Sequence, residues 1–220
     1  MKKIFTFVSA LMLIAFSAHA EKRIGVSGAL SMFDSSGTEE VKSSGTKNSG
    51  SHDETVIVPS LFVEFANDAG LTLGLDYVPV EAEIGSSTNA RTDTDTDDAS
   101  DTAGDNKASA ELTGHFTAYV LAPVGGNGAY LKGGLALATI ETTESLATGT
   151  TYGNEDVYGM LIGVGLDRDL DNGMFFRTEA TYTDYEDVSF VGSADGDSVK
   201  NKIDAEVDAL AFRISIGKAF

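Results

Sequence analysis

The sequence predicts an all-β protein: an eight-stranded, antiparallel, up-and-down transmembrane β-barrel. Three observations carry this. Apolar residues recur at every second position in eight segments, each as long as the roughly 9 to 11 residues that a tilted strand needs to cross hydrocarbon. The connections between these segments run long, short, long, short along the whole chain. No apolar run after Ala20 approaches the ~18 to 20 residues of a spanning helix, because Gly and Thr interrupt each one.

Residues 1–20 precede this pattern. Lys2 and Lys3, the run "IFTFVSALMLIAF" and the closing "SAHA" have the charged, apolar and small-x-small order of a cleaved secretory signal peptide. The mature domain is then 21–220. Removing Lys2 and Lys3 from the formal charge of −19 leaves −21, which excludes nucleic acid as a partner because phosphate binding needs a positive surface. The chain has no cysteine, so no disulfide or cysteine-held metal contributes and stability must come from burial or a closed hydrogen-bonded topology.

The predicted strands are Lys22 to Phe33, Val56 to Ala66, Leu71 to Ile84, Ala110 to Ala122, Ala129 to Thr142, Asp156 to Leu166, Met174 to Tyr185 and Ala205 to Phe220. A chain that crosses eight times places its odd connections on one side. Here those are the long ones, at about 34–55, 85–109, 143–155 and 186–204, and the even ones are short ("NDAG", "PVGGNG", "DRDLDNG"). Long extracellular loops and short periplasmic turns are the outer-membrane arrangement. Pro59 and Pro79 fall toward the long-loop ends of their strands, where pairing is expected to lapse.

Successive side chains of a strand point to opposite faces. One face carries Ile24, Val26, Leu30 and Met32 in the first segment; Ile57, Leu61, Val63 and Phe65 in the second; and Leu71, Leu73, Leu75 and Tyr77 in the third. It continues with Leu112, Phe116, Ala118 and Val120; Leu131, Leu135 and Leu137; Tyr158, Met160, Ile162, Val164 and Leu166; and Phe176, Ala180 and Tyr182. It closes with Leu210, Phe212, Ile214, Ile216 and Phe220. The opposite face carries Glu64, Asp76, Thr113, His115, Thr117, Lys132, Arg177, Glu179, Thr181, Arg213 and Ser215 among Gly and Ala. Charges of both signs on this face, with Phe65, Phe176 and Phe220 near the short turns and Tyr77, Tyr158 and Tyr182 near the long loops, put the apolar face toward lipid between two aromatic girdles.

With "SAHA", the eight alternating segments and the closing "FRISIGKAF" in view, the chain resembles the eight-stranded outer-membrane β-barrels of Gram-negative bacteria: the OmpA transmembrane domain and the OmpX and opacity-protein group. The resemblance implies an outer-membrane location. It implies that Phe212, Ile214, Ile216 and Phe220 form the C-terminal signal read by the barrel-assembly machinery. It implies a monomer in outer-membrane lipid whose loops meet an extracellular ligand. No cofactor is expected.

An eight-stranded lumen is just wide enough for side chains, and charges held there unpaired would be costly. Glu64, Asp76, Lys132, Arg177, Glu179 and Arg213 lie at similar depth near the short-turn ends. They are expected to form an ion-pair network that closes the barrel, with Arg177 and Arg213 holding Glu179 and Glu64 or Asp76. "DRDLDNG", Asp167 to Gly173, approaches a calcium loop, but its glycine comes one residue late and Glu179 misses the bidentate position. It reads as a polar turn. "TDTDTDDASDTAGD" reads as a solvated loop able to collect divalent cations loosely. His52 has no nucleophile in its segment and His115 faces the interior, so no catalytic set emerges.

The function expected is therefore non-enzymatic, through the loops, in envelope integrity, adhesion or surface recognition. The alternative is a narrow porin-like channel for ions or small solutes; a barrel enzyme acting on lipid ranks third.

Overall fold

The computed structural model describes residues 20–41, 45–91, 104–146, 150–193 and 201–220. Residues 1–19, which fall in the expected signal peptide, and 92–103, which hold most of "TDTDTDDASDTAGD", lie outside the described residues. Ten strands make eight staves: β1 (Glu21–Val41), β2 (Thr46–Ala66), β3 (Thr72–Tyr77) with β4 (Ala82–Arg91), β5 (Gly104–Val124), β6 (Ala129–Ser145), β7 (Glu155–Asp169), β8 (Met174–Tyr185) with β9 (Val188–Val191), and β10 (Lys202–Ala219). Neighbours pair antiparallel in chain order. β1 then pairs with β10 from Arg23↔Ala219 to Glu40↔Lys202, which closes the cylinder and satisfies the backbone groups that lipid could not.

The strands run well past the apolar segments. Residues 34–55, expected as a loop, are mostly a polar hairpin in which β1 and β2 stay paired up to Val41↔Thr46. β5 and β6 likewise pair up to Lys107↔Ser145. Hydrophobic alternation marks only the part of a strand that meets lipid, whereas hydrogen bonding carries the wall on into solvent.

The apolar face is the outer one: Ile57 is 78% exposed, Met160 68% and Ile214 59%. One expectation fails here. β5 has a bulge between Thr113 and Phe116, with Gly114 at φ +59°, and the extra residue inverts the side-chain parity above it. Leu112 therefore turns into the lumen, 3% exposed, and does not share the outer face with Phe116. Thr113, expected inside, bonds to Glu141 Oε1 at 3.1 Å.

Two staves are interrupted, and the first interruption matters most. The β2–β3 ladder stops at Leu61↔Tyr77. The next rungs would set Ser60 against Val78 and Pro59 against Pro79, and proline has no N–H to give. Val78 N donates instead to His115 O at 3.0 Å. Beyond this point β4 pairs with β5 and β2 with β1. Among the described residues no ladder joins β2 to β4, and the wall has a seam.

Candidate functional site in the barrel lumen

The inside of the barrel is built in layers. At the end bearing Glu21, Phe220 and the short turns, the staves contribute inward polar side chains. Arg177 on β8, 1% exposed, grips Glu64 on β2 with two nitrogens, Nη1 to Oε1 at 2.5 Å and Nη2 to Oε2 at 3.0 Å. This fork-to-fork geometry suits a guanidinium and a carboxylate. Nη2 also reaches Asp167 Oδ2 at 2.9 Å, which Arg23 Nη1 meets at 3.0 Å. Lys132 Nζ bonds to Glu179 Oε1 at 2.9 Å and sits 4.0 Å from the centre of the Tyr119 ring. Tyr119 donates its hydroxyl to Glu64 Oε1 at 2.6 Å. Arg213 Nη1 holds Asp76 Oδ2 at 2.6 Å, and Ser60 Oγ donates to the same oxygen at 2.8 Å.

All six residues singled out from the sequence thus stand in one layer, with two pairs among those expected and one that differs. Arg177 takes Glu64, Arg213 takes Asp76 through one nitrogen, and Glu179 goes to Lys132 although it lies directly across from Arg213 in register. Arg23, Asp167, Tyr119 and Ser60 belong to the layer as well. Parity would have found the first two, since Arg23 alternates with Ile24 and Asp167 with Leu166. Closeness to the chain start and to a turn disguised them. With Arg23 and Asp167 included, the bases Arg23, Lys132, Arg177 and Arg213 match the acids Glu64, Asp76, Asp167 and Glu179, so the floor is neutral.

Glycines make room for it. A Cβ on Gly74 would overlap the Tyr119 ring, and one on Gly165 the Tyr130 ring. The rings lie flat over neighbouring strands and fill the lumen sideways.

Above the floor the lumen turns apolar, contrary to the polar interior expected. Phe33, Ile84, Leu112, Ile140, Val157, Tyr185, Phe190 and Val207 form one buried cluster. His115, on the same inward parity as Thr117 and Tyr119, marks the boundary: its Nε2 lies 2.9 Å from Tyr185 Oη. Above the cluster opens a cup of about 550 Å³ whose floor includes Ile84, Ile140, Phe190 and Val207 and whose wall includes Ser35, His52 and Gly85. These wall residues are the seam seen from inside. Ser35 Oγ lies 3.0 Å from both His52 O on β2 and Ile84 O on β4, so a side chain from β1 bridges the gap that the ladder leaves open.

Phe212, Ile214, Ile216 and Phe220 lie on the outer face of β10, each at least 46% exposed. Phe220 N donates to Lys22 O at 2.9 Å, tying the chain end to β1. In the "DRDLDNG" turn, Asp167 points inward to the two arginines. Among the described residues no group of three or more His, Cys, Asp or Glu could hold a metal ion.

No family model matches the sequence, and no curated protein matches it. Solved structures do match in fold. The chain is similar to the outer membrane protein OprG from Pseudomonas aeruginosa, with 19% identity over 92% of this chain and 96% of that one at a TM-score of 0.58. It is also similar to the outer membrane protease OmpT from Escherichia coli, with 7% identity over 94% of this chain and all of the other at a TM-score of 0.54. At these identities the likeness is one of architecture. The closed cylinder, the outward apolar belt and these neighbours together make the chain an outer-membrane β-barrel.

Proposed function

We propose that this protein acts without catalysis, as a plugged barrel that admits small apolar molecules from the cell exterior into its outer cup and releases them sideways through the seam into the membrane. The observation that carries this is the pairing of a closed floor with a side wall that no backbone ladder holds shut. Eight ion-paired residues block the axis at the periplasmic end. Beyond the last rung, Leu61↔Tyr77, no ladder joins β2 to β4 among the described residues, and His52 and Gly85, on the two sides of that gap, line the cup. An ion travelling the axis would have to displace paired, desolvated charges, whereas an apolar molecule moving down the seam from the cup meets lipid at the seam's lower end, beside the exposed Leu61 and Tyr77. This is the small-solute alternative, redirected from the axis to the wall.

The test uses the seam itself. A Cβ on Gly85 would lie 3.9 Å from that of His52, within the range a disulfide spans, and the chain has no cysteine of its own. In His52→Cys/Gly85→Cys, uptake of the apolar dye phenylnaphthylamine by intact cells should fall when the pair is oxidised and return on reduction. Ion conductance in planar bilayers should stay low in both states. Equal dye uptake in both states would sink the lateral route; a steady porin-sized current would replace it with an axial one.

A further inference from the structure

The cup is apolar at its floor and acidic at its rim. Glu39 and Glu144 both line it, as does Tyr152 between β6 and β7. Tyr152 donates its hydroxyl to Glu39 Oε1 at 3.3 Å. Glu144 Oε1 is buried and makes no hydrogen bond. A carboxylate oxygen withdrawn from water without a donor is costly and calls for a positive or donating partner. None of the described residues lining the cup is Lys or Arg. The lining imidazole of His52 is engaged elsewhere, its Nε2 at 3.2 Å from Glu54 Oε2. The field at this rim is felt by Tyr152, whose hydroxyl is pushed up to about 12 by burial, then by Glu39 and Glu144.

Resting on the reading of the cup given above, we infer that its preferred guests are amphipathic organic cations: an ammonium or quaternary ammonium head at Glu39, Glu144 and the Tyr152 ring, and an alkyl tail on Ile84, Ile140, Phe190 and Val207. The chemistry is that of an aromatic face and carboxylates around a weakly hydrated cation, set over a surface that gains by covering apolar area. A fatty carboxylate of the same length would bring its charge against two acids. A neutral alcohol would gain the floor and leave Glu144 Oε1 unpaired or weakly paired.

Three probes with one tail separate these cases: hexyltrimethylammonium, hexanol and hexanoate, titrated calorimetrically into the protein in lipid nanodiscs with empty nanodiscs as reference. The cation should bind about tenfold more tightly than hexanol, and hexanoate most weakly. In Glu39→Gln/Glu144→Gln the cation should lose that advantage while hexanol binds as before; heat-modifiable gel mobility reports whether the variant is folded. In the unmodified protein the advantage should also shrink as salt rises, since rim charges are screened. If hexanol binds and the cation binds no better, or the advantage survives the double substitution, this inference falls and the apolar cup stands. If none of the three binds, both fall.

Discussion

Arg177 gives the sharpest test of the floor. Its guanidinium and the Glu64 carboxylate are 1% and 0% exposed, and Asp167, its second partner, is 18% exposed. In Arg177→Ala, Glu64 keeps only the Tyr119 hydroxyl, whereas Asp167 keeps Arg23. The cost therefore falls mainly on one fully desolvated carboxylate, for which breaking a buried pair costs roughly 3 to 5 kcal/mol. The more exposed Asp167 contact adds little. Urea unfolding in phospholipid vesicles, followed by the difference in gel mobility between folded and boiled forms, gives the free energy by linear extrapolation. Adding Glu64→Gln removes the stranded charge, so the double variant should be more stable than Arg177→Ala alone, a coupling that the cycle isolates. A loss below about 1 kcal/mol for Arg177→Ala would refute the reasoning, because a truly buried pair cannot be broken so cheaply. So would a double variant less stable than the single one. Planar-bilayer conductance of Arg177→Ala should rise, as one of the floor's long, fully buried side chains is gone.

Three further outcomes are expected. Deleting Phe220 should cut membrane insertion, measured by the fraction of heat-modifiable protein in outer-membrane fractions, far more than deleting several residues of "TDTDTDDAS"; equal insertion would show that the terminal ring has no part in assembly. Asp53, Asp34, Asp208 and Asp184 are successive cross-strand neighbours on β2, β1, β10 and β8, and like charges set opposite one another destabilise a sheet, so Asp34→Asn should stabilise the barrel by roughly 0.2 to 1 kcal/mol, most at low salt, in the same urea assay. Asp204, at the outer end of β10, bonds to Lys202 at 2.6 Å and to Ser189 at 2.5 Å; Lys202 first and Ser189 second hold its carboxyl below the usual range. A depressed acid stabilises at neutral pH and loses its contribution as pH falls through the lowered value, so the protection of β9 amides relative to their intrinsic exchange rates should fall below the normal carboxylate range and be steady above it.

The sequence made the wall legible because lipid imposes period two on every staff, and the turns at Asn67 to Leu71 and at Gly125 to Gly128 punctuate it with short, glycine-bearing connections. It made the floor legible for the same reason: in a strand whose outer face must be apolar, an inward Glu64 or Arg177 stands out. Which acid meets which base was not legible. That depends on the reach of each side chain across the lumen, and register alone would have joined Glu179 to Arg213. The outer half was legible least. Phe33, Ile84, Ile140 and Val207 are apolar on a face assigned to charge, and the bulge at Gly114 moves Leu112 across the wall by one inserted residue that no periodicity announces. Yet the seam was partly written in the chain. Pro59 and Pro79 looked like faults near strand ends. The pairing Leu61↔Tyr77 carries them, two residues on, to the same rung, so the donors lost by both strands are lost at one height. A single proline costs an edge one bond and the ladder can resume beyond it. Two at one rung, followed by β4 pairing only with β5, end the ladder. Two residues each poorly suited to a transmembrane strand, brought to one rung, leave the wall with a seam that hydrogen bonding between β2 and β4 does not close.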